Sequence, residues 1–336
     1  MPERPVRARV SFPGISSRAW EHPADRGALV ALRKLKGFDT VLKAMSGMFN
    51  ERVVRLQFLG SGIRVDERQF ERLHRLLAEV GTTLDCIGLP EMYVVADPQL
   101  NAMTIGMNRP IIVLNSAIVD LLDDDEIRFV IAHELGHAMS GHAVYQTLLQ
   151  RLIVLSGVLG SVPLGGVGVR VIVAALMEWS RKAELSADRA AAIATQDPAV
   201  AFRVHMKLAS GGHLEDLDTT SFFAQGTEYA EAGDLRESLL KLMLVENQSH
   251  PFGVVRAAEL RRWVDSGEYT QVLVGNYPHR DEDAAASMSD AAREAAQSYA
   301  KSFSSAADAF GKLLHDTAGA MGSIKGWLDE AFRRGQ

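Results

Sequence analysis

His133-Glu134-Leu135-Gly136-His137 has the spacing H-E-x-x-H. On a helix, residues four apart share one face, roughly 6 Å between Cβ atoms. His133 and His137 can therefore grip one metal ion together, with Glu134 beside them to take a proton from water activated by that ion. Three protein ligands plus a water make a catalytic zinc site, and Glu184 is the natural third ligand. It opens the run Glu184-Leu185-Ser186-Ala187-Asp188, whose E-x-x-x-D spacing again puts two acids on one helical face.

Working outward, Glu126 to Ala132 reads as helix, and Asp123, Asp124 and Asp125 supply a cap and negative charge at its start. The competing reading is a solvent-facing helix with no metal. Apolar residues at Ile127, Val130, Ile131, Leu135 and Ala138 argue against it, because they demand burial on that side.

The composition is that of a globular protein: 336 residues, 47% hydrophobic and 23% charged. A net charge of -6 argues against nucleic acid as the main partner. The single cysteine, Cys86, excludes an intrachain disulfide and reads as a small buried apolar residue. Met1-Pro2-Glu3-Arg4-Pro5 is followed by no apolar stretch, so the expected location is the cytoplasm.

Residues 1–15 read as a loose Pro- and Arg-rich arm and 16–80 as helices, one of them around Arg68–Leu77 and ended by Gly81. Met92–Val95, Asn101–Gly106 and Pro110–Leu114 read as strands of a small sheet whose edge could take up an extended peptide. Residues 152–177 are almost uncharged. Their Gly and Pro content and Arg170 favour two buried helical pieces joined by a turn, against a membrane-dipping hairpin. After Asp281 the tail becomes amphipathic from Tyr299 to Phe332, as a helix packed back on the domain or one that meets a partner or membrane surface.

These residues resemble the zinc metallopeptidase family that includes the heat-shock protease HtpX and the CAAX prenyl protease. Four blocks carry the resemblance: Asn101-Ala102 with Gly106 and the strand Ile111–Leu114; Asp125 through His137 to Gly141-His142; Ser180 through Asp188-Arg189; and Ser249-His250-Pro251 with Arg256. The resemblance implies a mainly α protein with a small β-sheet (α+β), of the zincin-like gluzincin fold. It implies one Zn2+ held by His133, His137 and Glu184, Glu134 as general base, and endopeptidase action on proteins or peptides. The expected organisation is an N-terminal arm and helical region over 1–80, a zinc metallopeptidase domain over 81–280 and a C-terminal amphipathic helical tail over 281–336. The chain departs from HtpX and the prenyl protease in lacking clear transmembrane helices, so prenylated substrates have no support here.

Asp188 is expected to accept a hydrogen bond from the non-ligating nitrogen of His133 or His137, the alternative being a surface acid paired with Arg181 or Arg189. His250 has three readings: oxyanion donor, occupant of the open zinc position, or helix cap ahead of Pro251. Arg256 reads as an anchor through a carboxylate or a contact to the oxyanion. His142 reads as structural. Asn101 and Ala102 would align substrate. Against the peptidase stand a zinc-containing binding or chaperone-like protein with little turnover and a hydrolase of non-peptide amides. Glu134 argues against the first, and the edge strand against the second.

Overall fold

The computed structural model describes residues 9–35, 37–48, 50–159, 166–231 and 253–303. Three helices come first: α1 (Pro23–Arg33), α2 (Phe38–Met48) and α3 (Glu51–Ser61). A short strand β1 (Ile63–Arg64) and α4 (Glu71–Thr83) lead to β2 (Glu91–Val95), β3 (Ala102–Ile105) and β4 (Ile111–Asn115). The helices α5 (Ser116–Leu121), α6 (Asp124–Met139), α7 (His142–Leu159), α8 (Gly166–Thr195), α9 (Pro198–Ser210), α10 (Thr219–Glu231), α11 (Gly253–Asp265) and α12 (Glu268–Leu273) follow. The protein is mainly helical with one small sheet, as its sequence leads one to expect.

The sheet order is β1-β2-β4-β3, with β2 and β4 parallel and the outer pairs antiparallel. The central strands β2 and β4 carry continuous apolar runs because both of their faces are covered. Met92, Val94, Ala102, Ile112 and Leu114 point into the main core, while Tyr93, Ile111 and Val113 meet Val54 of α3 on the other side. This alternation is the two-residue period of a strand.

α6 lies under the sheet. Asp123 caps it by accepting from the backbone N–H groups of Asp125 and Glu126, and the Glu126 side chain returns a bond to the Asp123 N–H. Every residue from Glu126 to His137 is buried, the expected apolar face and the opposite one alike. Helix α8 packs closely on it: a Cβ on Gly136 would stand 2.8 Å from the Cβ of Ala190 and 3.5 Å from the Cα of Ala187. A glycine is required there by proximity.

Several expectations need correction. The stretch 16–80 is not wholly helical: Ile63 and Arg64 pair with Val94 and Tyr93. Gly81 does not end its helix, which runs to Thr83. Its missing side chain makes room for Leu89, whose Cδ2 would lie 2.3 Å from a Cβ at that position. Nor are residues 9–15 loose. Phe12 and Ile15 are buried, the Phe12 N–H donates to the Thr83 carbonyl at 2.9 Å, and Arg9 pairs with Asp125 at 2.7 Å.

Residues 290–303 are helical, and Ala292, Ala296 and Phe303 are buried, so this part of the tail packs back on the protein. The tail beyond 303 lies outside the described residues, as do 1–8 and residues 160–165, where the sequence leads one to expect a turn. Among the described residues no helix is long and apolar enough to cross a membrane.

Candidate metal centre

α6 and α8 bring His133, His137 and Glu184 together in the buried interior. The His133 and His137 Nε2 atoms are 3.2 Å apart. Glu184 Oε2 stands 3.3 Å from His133 Nε2, and Oε1 stands 3.2 Å from His137 Nε2. Tetrahedral ligands bonded to zinc at about 2.0–2.1 Å are separated from one another by about 3.3 Å. Two imidazole nitrogens 3.2 Å apart, with one Glu184 oxygen facing each of them, form a donor set suited to zinc.

Glu134, 1% exposed, lies beside this triangle. Thr104 Oγ1, from β3, stands 2.7 Å from Glu134 Oε2 and 2.9 Å from the Glu134 carbonyl. Thr104 escaped the sequence reading. The available signal was its place on the inward-facing side of the strand, in register with Ala102.

Behind the histidines, Asp188 Oδ1 is 3.0 Å from His133 Nδ1. Arg256 Nη2 lies 3.4 Å from the same nitrogen, a longer contact that a ring N–H already given to Asp188 cannot complete. Arg256 donates from Nε and Nη2 to Asp188 at 2.8 and 2.6 Å, and its Nη1 is 3.0 Å from Glu184 Oε2. Asp188 therefore joins this cluster, and Arg256 meets two carboxylates. His205 Nε2 adds a 3.4 Å contact to Asp188 Oδ2.

Burial alone would raise the Asp188 carboxyl, but the Arg256 charge prevails and holds it well below the usual carboxylate range. Burial pushes His137 down to about 4. It pulls His133 the same way, yet hydrogen bonds to Asp188 and Glu184 outweigh it and raise His133 to about 9.

Asn101 and Ala102 open β3, and the Asn101 carbonyl accepts from the Asn115 N–H at 3.0 Å. β3 is one of the two edge strands of the described sheet. His142 Nδ1 lies 3.0 Å from His137 Nδ1, on the side away from the donor triangle. Cys86 is half-buried against the main core, and burial pushes its thiol up, in keeping with a packing residue. His250 lies outside the described residues.

The model of Peptidase family M48 matches residues 67–264. The plastoglobule-localized metallopeptidase 48 of Arabidopsis thaliana, a chloroplastic protein, is 32% identical over 267 residues, covering 78% of this chain and 77% of the relative. The protease HtpX of Xanthomonas axonopodis pv. citri is 27% identical over 205 residues, covering 52% of this chain and 66% of that protein. An HtpX homolog of Bacillus subtilis is 30% identical over 90 residues, 26% of this chain and 29% of its own. No solved structure matches the chain significantly. With more than half of its length inside one family model and a 32%-identical relative along most of its length, the chain belongs to Peptidase family M48, the zinc-dependent metallopeptidases.

Proposed function

We propose that this protein is a zinc-dependent endopeptidase, with His133, His137 and Glu184 as ligands and Glu134 as general base. The observation that carries the reading is the pair of imidazole nitrogens 3.2 Å apart, each with one Glu184 oxygen at 3.2–3.3 Å, and the buried Glu134 carboxylate beside them. Zinc held there supplies a Lewis acid that brings water close to ionisation at neutral pH and polarises a peptide carbonyl. Glu134 takes the proton of the attacking water and hands it to the leaving amine. Thr104 holds one Glu134 oxygen in place for this task. Asp188 accepts a hydrogen bond from the His133 Nδ1–H, so that, once the second ring proton has left, the Nε2 lone pair would face the metal position. Arg256 offsets the charge of Asp188 and Glu184. The substrate runs extended along β3 from Asn101 and Ala102, because Thr104 of that strand touches Glu134. The reading includes a role in protein processing or quality control in the cytoplasm.

The test is zinc content together with cleavage of casein or a quenched peptide. One zinc per chain with internal cleavage that a chelator abolishes is the expected result. A protein that takes up no zinc when offered it would sink the reading. Zinc uptake without turnover would favour the binding protein.

Zinc affinity should also depend on pH. His133, raised to about 9, carries a proton in the metal-free chain that must leave when zinc binds, whereas His137, lowered to about 4, is already neutral. The apparent association constant is therefore expected to rise about tenfold per pH unit between about pH 6 and 8 and to level off above about 9. Chelator competition across that range measures the slope, and a flat profile would contradict the assignment.

A further inference from the structure

His137 has a second neighbour chain on its far side. Its Nδ1 is 3.0 Å from His142 Nδ1, and His142 Nε2 is 3.0 Å from Asp25 Oδ2. All three side chains are buried, at 0%, 3% and 1% exposure. Asp25 sits in the first turn of α1, which His22 caps and Pro23 begins. Its carboxylate is fixed on two further sides: the Trp179 Nε1–H donates to Oδ1 at 2.9 Å and the Ser186 hydroxyl to Oδ2 at 2.6 Å. Ser186 lies on α8 between Glu184 and Asp188, and its oxygen accepts the His22 N–H at 2.9 Å. Asp25 stands outside the residues matched by the family model, 67–264.

We propose that Asp25 and His142 form a hydrogen-bond relay that orients His137 and fixes its proton on Nδ1, making the N-terminal segment part of the metal centre. This rests on the reading of His137 as a zinc ligand. Nε2 of His137 faces Glu184 and the other histidine, so it must present a lone pair to a metal, and the ring proton must sit on Nδ1. Across a 3.0 Å gap between two Nδ1 atoms only one can donate, so His142 Nδ1 is bare. The His142 proton then sits on Nε2 and points at a carboxylate oxygen. One assignment satisfies both contacts. Gln146, whose amide lies 3.4 Å from His137 Nδ1, fits by turning its oxygen toward the ring N–H.

The relay makes Asp25→Asn informative. Trp179 holds the oxygen of the new amide, so its NH2 faces His142 Nε2. His142 must then carry its proton on Nδ1, donor against donor with His137. Zinc affinity, read by competition with a chromophoric chelator, is expected to fall about 10–100-fold. Arg33→Gln, at the end of the same helix α1, removes a bond to Tyr145 that belongs to none of Asp25, His142 and His137, so its zinc affinity should change by less than about threefold whatever it does to stability. Nitrogen-resolved histidine spectra of the zinc-loaded wild type provide a readout that needs no variant: His142 should be protonated on Nε2 only. A wild type that binds no zinc would overturn the ligand assignment and the relay with it. A wild type that binds zinc, with an unchanged Asp25→Asn affinity, equal losses in Asp25→Asn and Arg33→Gln, or His142 protonated on Nδ1, would overturn the relay alone.

Discussion

Peptide hydrolysis by Glu134→Gln protein is expected to fall about 10²–10⁴-fold while zinc stays bound. The substitution keeps the volume of the side chain and an oxygen for Thr104, whose hydroxyl stands 2.7 Å from Glu134 Oε2. What it removes is a basic carboxylate. None of the three donor atoms of the triangle belongs to Glu134, so metal content should match wild type. Single-turnover cleavage measured beside zinc stoichiometry separates the two effects. Activity within tenfold of wild type would mean that another group moves the proton. Loss of zinc together with activity would mean that Glu134 serves the metal rather than the chemistry.

The second large effect concerns stability. Arg256→Met leaves Asp188 and Glu184, each 1% exposed, facing one another without the guanidinium between them. Breaking a buried ion pair by removing one partner costs about 3–5 kcal/mol; here the two buried carboxylates would share the protonated His133 in place of the guanidinium they lose. The metal-free protein should therefore lose about that much in a urea titration. Adding Asp188→Asn to Arg256→Met should return part of the loss, since the stranded charge is then gone. A single variant within about 1 kcal/mol of wild type, or a double variant whose losses simply add, would show that the cluster is solvated in a way the geometry does not suggest.

Much of this centre was legible in the sequence because helical spacing converts directly into position. H-E-x-x-H and E-x-x-x-D each place two side chains on one face, and α6 and α8 present them to each other. The three strands were legible because Gly, Pro and Asn punctuate them. What escaped has no periodic signature. β1 is two residues long, too short to show an alternation. Thr104, Asp25 and His142 matter through contacts across long stretches of chain, which composition does not encode. Residues 9–15 look like an arm because Pro and Arg dominate the surrounding sequence, yet Phe12 and Ile15 carry enough apolar surface to hold the segment down. Gly81 illustrates a glycine read as a terminator when its function is to admit a neighbour.

Gly136 gives the two variable positions of the motif unequal freedom. Leu135 fills core volume, and other large apolar residues could serve in its place. Position 136 sets how far apart two helices stand, and with them the histidines of one and the glutamate of the other. A side chain there would act as a wedge, opening the donor triangle in proportion to its size. Zinc needs bonds of about 2.0–2.1 Å and tolerates little stretching, whereas calcium accepts about 2.3–2.6 Å. The width of this interhelical gap is therefore a gauge of ionic radius, calibrated by a residue that contributes no ligand atom.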